Sequence, residues 1–143
     1  VGDADRAAAA FQVAYELSRS AAAVDGLGCA ALQKGEFKRA EEYFIQAYET
    51  DQNYSNSLAN LAMLYEIQGD VKEAGILYRR AIVEGPRDYR ARNNFAGFLF
   101  DNGGKRSLAT RRLVRSELLK AQSLVEDPLI SDNVKKVEGD KDG

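Results

Sequence analysis

The 143-residue sequence contains no histidine and no tryptophan, and only one cysteine, one methionine and two prolines. Because imidazole is missing, a Ser-His-Asp or Cys-His nucleophile and any His-ligated zinc or haem site are excluded. The single Cys29 can form neither an internal disulfide nor a thiolate metal site. The sequence therefore predicts a protein without catalytic residues, without a metal site and without a cofactor.

Long apolar runs and a strong charge of one sign are also missing. No segment approaches the roughly 18 apolar residues that a membrane span needs, so we expect a soluble chain that makes no membrane contact of its own. The 20 basic residues are balanced by 22 acidic ones, which gives a formal net charge of −2. This balance does not favour binding of nucleic acid or of an anionic surface by the molecule as a whole.

Helix-forming residues dominate what is present. Apolar residues make up 45% of the chain and charged residues 29%, with much Ala, Leu, Glu, Lys, Arg and Gln. No stretch alternates apolar and polar residues for long, as an exposed strand would. A length near the commonest domain size and this composition together predict one folded, all-α unit.

A period of 34 residues runs through the sequence. The segments 35–40 (GEFKRA) and 69–74 (GDVKEA) carry the same turn and helix start. Each is followed by a small, an aromatic and a small residue, namely Ala40, Phe44 and Ala47 in one copy and Ala74, Tyr78 and Ala81 in the next. Self-similarity at this period indicates stacked units of two helices each.

Glycines at two kinds of position support this interpretation. Gly35 and Gly69 lie where a helix would end in a left-handed residue, a conformation that penalises a Cβ. Gly28 is one helix earlier, and its small size allows a neighbouring helix to come close while the Phe44 ring fills the gap one turn away. Each unit is thus expected to be a tight antiparallel helix pair.

The order of these residues resembles the tetratricopeptide repeat family. Residues 55–88 follow the family pattern nearly throughout, with Leu58, Leu61, Ala62, Tyr65, Gly69, Ala74, Tyr78, Ala81 and Pro86. Residues 21–54 depart from it with Ala31 for the tyrosine and Gln52 for the proline. The resemblance implies an α-solenoid, a right-handed superhelix of antiparallel helix pairs, in which the first helix of each pair lines a concave groove.

This resemblance divides the chain into five segments. Residues 1–20 read as the second helix of a truncated repeat, so we expect the chain to be part of a longer protein, and its compartment stays open between cytoplasm and periplasm. Residues 21–54 and 55–88 form repeats one and two. Residues 89–127 form a third repeat with a degenerate, extended second helix, in which Ala109, Leu113 and Ser116 stand at the packing positions. An apolar stripe over 113–125 predicts a helix that caps the stack, and 128–143 are expected to form a short cap or a frayed tail.

The groove positions implied by the resemblance contain several asparagines. An Asn amide can both donate to and accept from the backbone of an extended peptide, although surface asparagines also serve merely as solvated or capping residues. Asn60 and Asn94 are equivalent residues one repeat apart. The predicted partner-binding residues are Asn56, Asn60, Met63, Arg90, Asn93, Asn94 and Phe100, with Leu32 as a further apolar contact.

We therefore expect a non-catalytic scaffold that binds a segment of another protein, and neither a small-molecule substrate nor nucleic acid. Some members of the family clamp a C-terminal carboxylate with Lys, Arg and Asn, but Asp25 stands where a cation is required. The runs 92–99, 119–121 and 127–129 are similar to repeat lipoproteins that assist type IV pilus assembly, which suggests a bacterial assembly or secretion role. The sequence is also compatible with a homo-oligomer.

Two alternatives remain. A basic stretch over 105–120 could meet an acidic partner or nucleic acid, although a solvated outer face is the favoured interpretation. It consists of Lys105, Arg106, Arg111, Arg112, Arg115 and Lys120, opposed only by Glu117. The chain could also be an accessory domain of a larger enzyme.

Overall fold

The computed structural model describes residues 2–103 and 107–139. Within them the chain forms eight α-helices and no strand. The helices are α1 (Asp3–Ser18), α2 (Ala21–Gln33), α3 (Phe37–Thr50), α4 (Asn56–Ile67), α5 (Val71–Glu84), α6 (Tyr89–Asn102), α7 (Leu108–Gln122) and α8 (Pro128–Gly139). The all-α solenoid expected from the sequence is confirmed.

Three antiparallel pairs, α2/α3, α4/α5 and α6/α7, are stacked in chain order. The first two pairs turn at Gly35 and Gly69, whose φ angles of +73° and +85° are the left-handed values that the sequence predicts. The first helices of successive pairs also contact one another, α2 with α4 and α4 with α6. They therefore form the inner layer of the stack. The side of this layer that faces away from α3, α5 and α7 is the concave surface.

The repeated small-aromatic-small triplet forms the spine of the core. Phe44 and Tyr78 are 0% and 1% exposed, with fully buried alanines on either side of each. A Cβ at Gly28 would lie 2.5 Å from Phe44 Cε1, so only glycine permits this approach of α2 to α3. The packing role that the sequence predicts for this glycine is confirmed.

The third pair departs from the 34-residue register. Its buried triplet is Val114, Leu118 and Ala121, which has the spacing of Ala74, Tyr78 and Ala81 but lies 40 residues further on. The prediction that Ala109 and Leu113 take these positions is wrong, because both are exposed. The register shifts because the connection after α6 is longer than the one after α4, and because α7 begins further ahead of its triplet than α5 does. Helix α7 has 15 residues against 14 in α5.

The segment after α7 forms a packed helix. In α8, Ile130 and Val134 are 1% and 7% exposed. The helix runs parallel to α6, since Asn133 Nδ2 donates to Asn93 Oδ1 at 2.9 Å and Val137 lies near Phe100 further along. It thus takes the place of the first helix of a further pair.

Two expectations about this end of the chain are corrected. The helix over 113–125 does not cap the stack, because α7 is the second helix of the third pair and α8 covers it. Of the two alternatives for the last segment, a short cap or a frayed tail, the frayed tail is wrong for residues 128–139, since burial of Ile130 and Val134 holds α8 in place. The rest of that predicted tail, 140–143, lies outside the described residues.

Helix α1 packs on α2 through the Phe11 ring, which covers Gly26. Its triplet Ala7, Phe11 and Ala14 is equivalent to the buried triplets of α3 and α5 but is only half-buried. No residue of α1 is fully buried.

Candidate functional site

The concave surface ends at α6 and α8. On α6, residues Arg90, Asn94, Gly97 and Asp101 are spaced by four, three and four positions, which places them on one helix face. None of the four is buried. This face, together with α8 beside it, contains the part of the predicted site that the structure leaves accessible.

Asn60 has a structural partner in the preceding repeat. Its Nδ2 donates to both carboxylate oxygens of Asp25, at 3.0 and 2.9 Å, and lies 3.6 Å from the Cys29 sulfur. The Tyr54 hydroxyl donates to the same carboxylate at 3.4 Å and accepts from Asn56 Nδ2 at 3.4 Å. Both predicted anchors on α4 therefore belong to a hydrogen-bond network that joins the first two repeats.

Burial changes the acid-base behaviour of this network. Asp25 is 6% exposed, and desolvation raises the pKa of its carboxyl to about 6, although the bonds from Asn60 and Tyr54 oppose the shift. Burial and the neighbouring Asp25 charge raise the pKa of the Cys29 thiol to about 12. Cys29 is consequently a protonated thiol at neutral pH and a poor nucleophile.

Three of the predicted residues line one cavity between α6 and α8. This polar cavity, of about 280 Å³, is lined by Arg90, Asn93 and Asn94 together with Tyr89, Asp127, Leu129 and Ile130. Arg90 Nε donates to the Tyr89 hydroxyl at 3.3 Å, and the Asn93 amide is held by Asn133. The half-buried Asn94 side chain makes no hydrogen bond within residues 2–103 and 107–139, so its amide is available to a ligand.

A second cavity lies one to two turns further along the same two helices. This apolar cavity, of about 150 Å³, is lined by Ala96, Gly97, Phe100, Asp101, Val114, Leu118, Asn133, Lys136 and Val137. Asn133 lines it while bonded to Asn93 of the polar cavity. The two cavities are thus neighbours along the groove face of α6.

The remaining predicted contacts are partly covered. Met63 is half-buried against the cluster that contains Ala62 and Phe95, and Leu32 is half-buried near Phe44. Sequence reasoning missed Asp127, Leu129 and Ile130, because it expected only a short cap or a frayed tail from residue 128 onward and gave this end of the chain no place in the groove. The apolar pair directly after that proline was the available signal of another packed helix.

The basic stretch is largely engaged within the fold. Arg115 pairs with Glu138 at 2.9 Å, and Lys120 pairs with Glu117 at 2.8 Å. Arg111 also has an interaction partner, whereas Lys105 and Arg106 lie outside the described residues. These contacts engage Arg111, Arg115 and Lys120, which are three of the four cations of this stretch that the structure describes; Arg112 is exposed.

The described part of the chain shows neither a metal-binding cluster nor a membrane-spanning helix. Residues 2–103 and 107–139 contain no group of three or more His, Cys, Asp or Glu side chains placed to hold a metal ion. None of the helices in this part combines the length and the apolar character that crossing a bilayer demands.

The fold and the groove define a class, the helical repeat solenoids. Residues 26–89 match the family model described as Tetratricopeptide repeat. The resemblance to this family that was stated from the sequence is thus confirmed over residues 26–89. It covers α2 to α5 almost completely.

Solved structures show the same fold over most of the chain. The Arabidopsis OM64 TPR domain superposes with a TM-score of 0.66 at 12% identity, covering 85% of this chain and 97% of that one. The first TPR of Spaghetti (RPAP3), bound to the HSP90 peptide SRMEEVD, gives a TM-score of 0.72 at 12% identity, with coverages of 88% and 98%.

A curated relative matches about half of the chain. The Type IV pilus assembly protein PilF of Pseudomonas aeruginosa is 32% identical over 75 residues, which are 52% of this chain and 30% of that protein. The chain thus matches less than a third of the length of this relative.

Proposed function

We propose that this chain is a non-catalytic scaffold that binds a segment of a partner protein along its concave groove. One observation carries the proposal. The Asn94 amide has no hydrogen-bond partner in the described chain and lies with Arg90 in a polar cavity on the groove face. An unpaired amide and a guanidinium at such a site suit the backbone and the polar side chains of a peptide.

The two groups of predicted residues take different roles in this proposal. Asn56, Asn60 and Met63 shape the groove floor on α4, because their side chains are already bonded or packed within the chain. Arg90 and Asn94 bind the ligand directly. A structural neighbour bound to a peptide supports this kind of recognition.

We place the partner in a bacterial assembly system. The relative from Pseudomonas aeruginosa is named a type IV pilus assembly protein, and it is 32% identical to this chain over 75 residues. A scaffold of this kind would hold one protein segment while others assemble. The alternative, accessory domain of an enzyme, has no observation that favours it.

The test is a peptide selection followed by affinity measurement. Dodecamers from a random display library are selected on the immobilised chain, and their affinities are measured by calorimetry. The double variant Asn94→Ala, Arg90→Glu should weaken binding at least about tenfold, since it removes two hydrogen-bonding groups. The control Arg112→Glu makes the same change of charge on the exposed side of α7 and should leave affinity within about twofold.

The control also decides between the two functions. Loss of binding in Arg112→Glu but not in the double variant would favour the basic stretch, and such binding would fall steeply with added salt. Failure to select any peptide would contradict groove binding.

A further inference from the structure

Gly97 is the feature of the apolar cavity that packing does not explain. A Cβ built there meets no atom within 4 Å, whereas at Gly28 it would lie 2.5 Å from the Phe44 ring. Glycine inside a helix is less favourable than alanine, and here no close contact offsets that cost. The missing side chain instead leaves the cavity between α6 and α8 open.

The volume and lining of the cavity indicate what fits it. It measures about 150 Å³, and Phe100, Val114, Leu118 and Val137 are among its walls. An apolar cavity of about this volume accommodates benzene in another protein. One large apolar side chain, such as Leu, Met or Phe, therefore fits, whereas alanine would leave most of the space empty.

The charges around the two cavities favour an acidic segment. The Lys136 side chain, at the rim of the apolar cavity, forms no ion pair with residues 2–103 or 107–139. Asp101, on the same rim, is already engaged by another group of the chain. Arg90, in the polar cavity, donates to a tyrosine hydroxyl. The two carboxylates nearest to it, Asp88 and Asp127, accept backbone N–H bonds at the starts of α6 and α8, and neither forms an ion pair with Arg90 in the described chain. Both cations are thus able to form ion pairs with carboxylates of a ligand.

The spacing of these groups matches an extended chain. Arg90 and Gly97 are seven positions apart on α6, which corresponds to about 10 Å along the helix axis. An extended peptide covers that distance in about three residues.

We propose that the apolar cavity is the anchor pocket for one large apolar side chain of an acidic partner segment. Lys136 pairs with a carboxylate next to that side chain, and Arg90 pairs with one about three residues away. The inference rests on the proposed function and specifies which ligand the groove selects.

The test uses a defined peptide as well as the selected dodecamers. The probe is a blocked Gly/Ser nonapeptide with Leu at its centre, Asp on both sides and a third Asp three residues from the Leu. Binding is followed through the backbone amide NMR signals of Gly97, Phe100 and Val137. The Leu peptide should bind at least about tenfold more tightly than its Ala-centred version, and replacing Asp by Lys should weaken it about threefold or more.

A cavity-filling variant makes the test specific. Gly97→Leu places a side chain in the pocket without a clash at Cβ, so it should fold and bind the Leu nonapeptide at least about tenfold more weakly. Ala10→Leu adds the same side chain type at an exposed position of α1 and should bind like the parent chain. Thermal unfolding monitored by circular dichroism verifies that both variants are folded.

The outcomes separate the two proposals. Equal affinity of the Leu- and Ala-centred peptides, or full binding by a folded Gly97→Leu chain, would overturn the anchor pocket. If the dodecamers then still lost affinity in Asn94→Ala, Arg90→Glu, groove binding would stand without the pocket. If neither variant affected the dodecamers, both proposals would fail.

Discussion

At residue 25 a carboxylate is buried among neutral hydrogen-bond donors. Asn60 and Tyr54 are its bonding partners, and both come from the next repeat or the connection to it. Burying a charge without a cation is costly, so protonation relieves part of the cost and raises the pKa. Asp25, which is incompatible with a carboxylate clamp, thus links two repeats through its hydrogen bonds.

This burial predicts a pH dependence of stability. The pKa of Asp25 is raised to about 6 in the folded chain, against 3.8 for a free aspartate, so binding of its proton stabilises the fold fully below pH 3.8 and no longer above pH 6. Asp25→Asn removes the titration, and its free energy of unfolding relative to the parent chain should rise by about 3 kcal/mol between pH 3.5 and 7.5. Urea unfolding at several pH values measures this difference; a constant difference would contradict the account.

Two helical glycines should respond oppositely to alanine. Gly28→Ala forces a Cβ against Phe44 and should lower the free energy of unfolding by about 2 kcal/mol. Gly97→Ala meets open space and should raise it by about 1 kcal/mol through helix propensity. Thermal unfolding of both variants provides the comparison, and a shift in the same direction would be inconsistent with the packing described.

The role of a residue could be predicted from the sequence where that role is local, but not where it depends on a contact with another repeat. The left-handed turns at Gly35 and Gly69 follow from the pattern alone. The bonding of Asn60 to Asp25 does not, because it requires the stacking of α2 on α4 and the position of the Tyr54 connection.

Among the elements, α7 shows how a repeat tolerates an insertion. Its triplet keeps the spacing of four and three residues but moves to Val114, Leu118 and Ala121. A fixed period of 34 residues therefore does not identify this triplet, although the sequence shows the apolar stripe that contains it. The register was set by the longer connection after α6 together with the extra residues of α7 before its triplet, which no pattern in the sequence specified.

An ion pair ties α7 to α6. Arg92 and Glu117 meet at 2.6 Å with side chains only 11% and 7% exposed. Arg92→Met leaves the buried carboxylate with Lys120 alone and should cost about 3 kcal/mol, whereas Arg92→Met, Glu117→Leu should cost about 1 kcal/mol or less. Denaturant unfolding of the single and double variants tests this; equal losses would show that the pair is not coupled.

At the scale of the whole molecule, the repeats stack so that each pair contacts mainly its neighbours. The period and the number of pairs were predictable from spacing, and the inner position of the first helices was implied by the family resemblance. The two cavities were not, since they depend on α8 packing beside α6, and their lining combines residues about 40 positions apart.

This stacking predicts that a destabilising substitution affects the stability of nearby helices only. Ile130→Ala removes a buried side chain from α8 and should cost about 3 kcal/mol. Amide hydrogen exchange should accelerate in α6, α7 and α8, while α2 and α3 keep their protection, as expected of a one-dimensional stack. Equal acceleration in all helices would instead indicate a single cooperative core.

The most direct test of groove binding is a map of backbone amide NMR shifts on titration with a selected dodecamer. We predict that the largest shifts cluster on Arg90, Asn94 and Gly97 of α6 and on the facing residues of α8. A cluster around Arg112 on α7, with α6 unaffected, would contradict the account.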